Sequence, residues 1–156
     1  MPACTFFGHH DAPNSLETKL LEIIKEAIDQ YGVRTFYVGN QGNFDAMALR
    51  SLQKIQSTYA QIHYSIVFAY LPNATAPNTP SVFPEGIENV PYRFRIPWRN
   101  KWMISQCEYV ISYVSYTSGQ AAKYVKIARV YLKKEEATAR ADFLSVQGGK
   151  SKVYWR

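Results

Sequence analysis

Twice in its first sixty residues the chain passes from a short apolar stretch through a glycine-bearing loop into a helical repeat, and a third apolar stretch follows. Cys4–Phe7 (CTFF) leads through Gly8-His9-His10-Asp11-Ala12-Pro13 into a pattern that puts Leu16, Leu20, Ile23, Ile24, Ala27, Ile28 and Tyr31 on one face. Asn14 with Glu17 three residues on predicts a capping box at its start, and Gly32 predicts its stop. Arg34–Val38 (RTFYV) then runs into Gly39-Asn40-Gln41-Gly42-Asn43. A second helix is predicted from Phe44 to Ser57 with Met47, Ala48, Leu52 and Ile55 inward, and His63–Ala69 (HYSIVFA) reads as the third strand. Strands alternating with helices of this length point to βαβ units. The expected fold is α/β: a three-layer, Rossmann-like domain with a mostly parallel sheet flanked by helices. Right-handed crossovers put every strand's carboxyl end on one edge, and in such sheets ligands bind beyond that edge, near the point where strand order reverses.

The stretch from Arg99 to Ala128 carries the strongest functional signal. Tyr109–Val114 (YVISYV) has no charge and suits a central strand covered on both faces. Thr117, Ser118 and Gly119 follow as a turn, and Ala121, Val125, Ala128 and Leu132 recur as one helical face. A strand, a small-residue turn and a helix N-terminus make an anion site, because free backbone N–H groups and the helix dipole both favour negative charge there. Three loops, Gly8–Asp11, Gly39–Asp45 and Thr117–Gln120, are thus expected to converge on one crevice. The segment Tyr70–Pro97 stands apart, with six of the eight prolines and little periodicity. It reads as a lid, binding loop or interaction arm.

Length and composition fit one domain with a real core, expected over residues 1–145, with 146–156 as a tail. Leu132–Leu144 is helix-forming, and Val153-Tyr154-Trp155 is a late strand candidate. No apolar run approaches the length of a membrane span, and no leader peptide is recognised, so the expected location is cytoplasmic. Cys4 and Cys107 are expected reduced, buried and inert, and no His/Cys cluster has metal spacing. Residues 123–156 hold nine Lys/Arg against three acids, which accounts for the whole net charge of +6. That excess reads first as a solvated helix face, with nucleic acid as the minority partner.

Each candidate residue has a structural alternative. Gly8 and Gly39 serve tight turns, or let phosphate oxygens approach the backbone; Asn40 and Gly42 line the same loop. His9 and His10 are donors to phosphate or an acid–base pair, or else loop residues that cap a helix. Asp45 complements a helix dipole or binds a ribose hydroxyl. Arg99 offers a planar fork for bidentate phosphate recognition, or an ion pair to Glu85, Glu88 or Asp45. Asn100 caps a helix over Lys101–Cys107 or reads a base. Ser118 and Gly119 are the phosphate-turn residues. Trp98, Trp102 and Tyr116 read as packing residues, one of which could stack on a base; His63 reads as structural. No catalytic residue and no metal ligand is assigned.

CTFFGHHDAP at 4–13, YVGNQGNFD at 37–45, RNKWMISQCEYVISYV at 99–114 and SGQAA at 118–122 together resemble the SLOG superfamily of Rossmann-like domains, and most nearly its small stand-alone bacterial and phage members with a GHR-type first motif. The resemblance implies a pocket for a nucleotide or nucleotide-derived ligand, bound or sensed rather than used as a resident cofactor. It also makes a homo-oligomer plausible, since the related LOG phosphoribohydrolases form dimers. Catalytic LOG enzymes carry PGGxGTxxE at the glycine turn, whereas this chain has Thr117-Ser118-Gly119-Gln120-Ala121-Ala122-Lys123, with no acid in register, and His10 replaces the family's usual Arg. Binding is therefore the expected function. The alternative is LOG-like cleavage of the N-glycosidic bond of a nucleoside monophosphate, for which Asp45 or Glu108 would have to supply the acid.

Overall fold

Phe6 and Phe7, neighbours in the first strand, are buried in two different cores, so that strand is covered on both faces. The structure, a computed structural model, describes residues 2–8, 10–71, 79–115 and 125–130, the side chains of 114, 115 and 125–130 excepted. The strands are β1 (Ala3–Gly8), β2 (Thr35–Val38), β3 (His63–Val67), β4 (Ser81–Val82), β5 (Tyr109–Ser115) and β6 (Val125–Val130), in spatial order β4-β3-β2-β1-β5-β6. The first five are parallel, and β6 joins β5 antiparallel. The helices are α1 (Glu17–Tyr31), α2 (Asn43–Gln56) and α3 (Arg95–Ser105).

The chain steps from β1 outward to β4, then returns across the sheet to lay β5 against the free side of β1. Right-handed crossovers in opposite directions put helices on opposite faces. Accordingly Leu20, Ile23, Ile24, Ala27 and Ile28 of α1 and Met47, Ala48, Leu52 and Ile55 of α2 pack with Cys4, Phe6, Phe36, Val38, Ile111 and Tyr113. Met103 and Ile104 of α3 pack with Phe7, Val67 and Val110 on the other side. This is the expected α/β architecture, and strand order reverses between β1 and β5.

Three local expectations are corrected. Residues 125–130 form a strand, not part of a helix carrying Ala121, Val125, Ala128 and Leu132 on one face. Val125, Ile127 and Val130 are β-branched, and β5 offers a full ladder from Ser115↔Val125 to Val110↔Val130, so pairing overrides the helical spacing. The capping box does not form: a 3₁₀ turn over Asn14–Leu16 precedes α1, and the Asn14 Oδ1 accepts a bond from Asn43 Nδ2 at 2.7 Å. α3 starts at Arg95 rather than Lys101, with Pro97 in its first turn, where a missing N–H costs no helical bond. Asn100 therefore lies within the helix and does not cap it.

The proline-rich segment is partly regular where described. It supplies edge strand β4, a 3₁₀ turn over Ile87–Asn89 whose Ile87 is fully buried, and a second over Tyr92–Phe94 that leads into α3. Residues 72–78 of the segment lie outside the described residues. So do 116–124 and 131–156, which hold the predicted phosphate turn, the late helix and strand, the domain end and the tail.

Gly8 closes β1 against the first turn of α2. A Cβ there would lie 2.3 Å from Cγ of Phe44, a fully buried ring stacked on Tyr113 at 6.0 Å. Gly8→Ala is expected to destabilise the fold by about 1–3 kcal/mol through overpacking. Urea unfolding checks this, with a smaller loss expected in a Phe44→Ala background, which removes the Cγ and Cδ2 that the new methyl would meet.

Candidate functional site

Helices that cross between parallel strands run antiparallel to them, so α2 and α3 both begin at the edge where the strands end. Asp45 sits in the first turn of α2 and Arg99 one turn into α3. Both are drawn to the end of β2, where Gly39 lies between them. A Cβ on Gly39 would stand 2.8 Å from Asp45 Oδ2 and 3.1 Å from Arg99 Nη1, so only glycine admits both charges from either side.

Arg99 is the largest fully buried side chain, at 2% exposure. Its Nη1 donates to the Val67 carbonyl at the end of β3 at 2.8 Å, and to Asn40 Oδ1 at 3.4 Å. Its Nε donates to Asn100 Oδ1 at 2.9 Å. Burial lowers the Arg99 pKa, an effect opposed by the nearby Asp45 carboxylate. Asp45 is 8% exposed, and its Oδ2 accepts the Gln41 backbone N–H at 2.9 Å. Burial raises its pKa to about 6, against the lowering pull of Arg99 and of that N–H. Among the described residues, Asp45 and Arg99 make no direct ion pair; the pairs formed are Lys19–Glu22, Arg50–Glu17 and Lys54–Glu17. Nor does Arg99 pair with Glu85 or Glu88. Among the described residues its hydrogen-bond acceptors are neutral oxygens.

The remaining candidates gather around this pair or fall outside it. His10 is exposed; its carbonyl accepts the Asn43 N–H at 2.7 Å, and its Cβ occupies the space that a Cβ on Gly42 would need. Gly42 has φ +97°, a conformation that favours glycine regardless of that contact. The room left by Gly8, Gly39 and Gly42 is thus filled by the chain's own Phe44, Asp45 with Arg99, and His10. Asn40 is exposed beside Arg99, and Asn100 is buried with its Oδ1 on Nε. His9, Ser118, Gly119 and Tyr116 lie outside the described residues.

Trp102 packs edge-on against Tyr37 at 5.6 Å, and Trp98 lies beside Gly86. Exposed His63 opens β3 at the opposite, amino edge. Glu108 is at that edge too, where its Oε1 accepts the Ala3 N–H at 2.9 Å. Cys4 and Cys107 are free thiols, and burial pushes both pKa values up, which suppresses the thiolate. Among the described residues no group of three His, Cys, Asp or Glu is placed to hold a metal, and no helix is long and apolar enough to cross a membrane.

The sequence does not single out two participants. The Val67 carbonyl has no side-chain signature. Tyr70, three residues beyond it, donates its hydroxyl hydrogen to the Tyr92 carbonyl at 2.9 Å. Compared with protein-family models and with curated proteins, the chain matches none.

A carboxyl whose folded pKa lies above its unfolded value stabilises the fold when protonated. For Asp45 this contribution is complete below about pH 4 and is lost as pH rises through about 6. Asp45→Asn cannot ionise and still offers an oxygen to the Gln41 N–H. It is expected to gain stability on the parent chain from pH 4 to pH 7, by roughly 3 kcal/mol at most. Urea midpoints across that range check this; a difference that does not change with pH refutes it.

Proposed function

We propose that this chain binds a nucleotide or nucleotide-derived small molecule at the carboxyl edge of its parallel sheet, with Arg99 as the contact to its anionic group. The observation that carries this is the state of Arg99. A full charge is held at 2% exposure by neutral acceptors on Nε and Nη1, and its Nη2 makes no hydrogen bond to a described residue. Desolvating a guanidinium costs several kcal/mol, and a fork positioned on two corners is pre-ordered to give its third to a carboxylate or phosphate oxygen. The nucleotide class rests on the resemblance to SLOG domains. The glycines pack the chain against itself, so the proposal leans on Arg99 rather than on a glycine cradle.

A thermal-shift screen with AMP, ADP-ribose, NAD, nucleoside diphosphates and cyclic dinucleotides tests it. A ligand at about a hundredfold its Kd adds roughly 2.7 kcal/mol, a rise in Tm on the order of 5–10 °C for this size. Arg99→Lys keeps the charge but loses the fork, and is expected to abolish the shift. No shift with any phosphate compound overturns the proposal.

One observation favours a second reading, an N-glycosidic phosphoribohydrolase. Asp45, with its pKa raised to about 6, is a proton donor suited to neutral pH on the ligand-binding edge, whereas Glu108 is on the wrong edge. Release of free base from AMP, lost in Asp45→Asn, would establish it.

A further inference from the structure

Among the described residues the exposed large hydrophobic side chains are Tyr31, Leu71, Tyr92 and Phe94, and the last three lie in the segment between β3 and α3. Tyr92 is 69% exposed and Phe94 49%. Both are in the 3₁₀ turn that enters α3, and so at the carboxyl edge of the sheet. Tyr70 joins them to the buried charge. Its ring stacks on Tyr92 with centroids 4.3 Å apart, and it lies three residues beyond Val67, whose carbonyl accepts from Arg99 Nη1 at 2.8 Å.

A guanidinium lies over each of the two rings. The Arg95 guanidinium lies 5.7 Å from the Tyr92 centroid, fixed by the Val90 carbonyl at 3.1 Å and the Glu88 carbonyl at 3.4 Å. The Arg93 guanidinium lies 4.7 Å from the Phe94 centroid. The nearby Glu88 carboxylate turns back to accept its own loop's Gly86 N–H at 3.1 Å.

We infer that Tyr92, backed by Tyr70 and flanked by Phe94, is the platform on which the ligand's heteroaromatic base stacks while its anionic group reaches Arg99. This rests on the function proposed above and adds which part of the ligand the arm recognises. Two exposed rings are too small a patch for a stable protein interface. They are the size of a base, and guanidinium groups beside them suit a ligand that carries an aromatic ring and an anionic group. Trp98 and Trp102 are turned to packing.

Calorimetric titration of the full chain with inorganic phosphate, ribose 5-phosphate and the four nucleoside monophosphates separates the contributions. Stacking on an aromatic side chain contributes about 1–3 kcal/mol per base, so the best nucleoside monophosphate is expected to bind at least fivefold tighter than ribose 5-phosphate. Tyr92→Ala, at an exposed position, is expected to remove that gain, leave ribose 5-phosphate binding unchanged and be rescued by Tyr92→Phe. Equal affinity for ribose 5-phosphate and every nucleotide overturns the platform while leaving the anion site standing. So does a Tyr92→Ala variant that weakens both ligands alike. If the parent chain binds none of these compounds and none of those in the thermal-shift screen, the anion site and the platform fall together.

Discussion

The guanidinium of Arg99 is a full charge inside the protein, and its hydrogen bonds tie together three segments far apart in sequence. Nη1 reaches the last residue of β3 and the loop after β2, while Nε is held within α3. An arginine cannot shed its charge to escape burial, so these acceptors have to be in place whenever the chain is folded. The glycine at 39 makes room for it and for Asp45, which is buried on the other side of that glycine. Asp45 feels this most: lodged beside a cation but out of direct contact, its carboxyl is still dominated by burial, and its pKa moves up rather than down.

The two-sided sheet supplies the frame that makes such a site possible. With α1 and α2 on one face and α3 on the other, β1 and β5 are sealed, and their carboxyl ends open onto the same edge as the starts of α2 and α3. Polar groups gather at that edge because the core beneath has no place for them. The opposite edge carries Glu108 and His63, whose surroundings are those of ordinary surface residues. Position in the sheet, more than residue type, separates Asp45 from Glu108.

Much of this frame is legible in the residues. The alternation of short β-branched stretches with apolar helical faces predicts β1, β2, β3 and β5, and it predicts α1 and α2 to within a residue or two at most ends. Arg99, Asn100, Asn40 and Asp45 are identifiable as a group because the expected topology brings their segments to one edge. The glycines are recognisable as special, but their use is not. Whether the space at Gly8 or Gly39 receives a ligand or a neighbouring side chain depends on Phe44, Asp45 and Arg99, which arrive from other elements.

Local patterning therefore determines which segments are helix or strand wherever one periodicity dominates, and the order of those segments determines the α/β class. Tertiary structure decides the rest. Residues 125–130 fit a helical spacing but are rich in β-branched side chains, and the open side of β5 settles them as a strand. The start of α3 moves back to Arg95 because a proline in a first turn is harmless, and this places Tyr92 and Phe94 at the carboxyl edge of the sheet. The pKa of Asp45 and the neutral partners of Arg99 depend on burial and on distances across the sheet edge, quantities with no counterpart in a one-dimensional sequence.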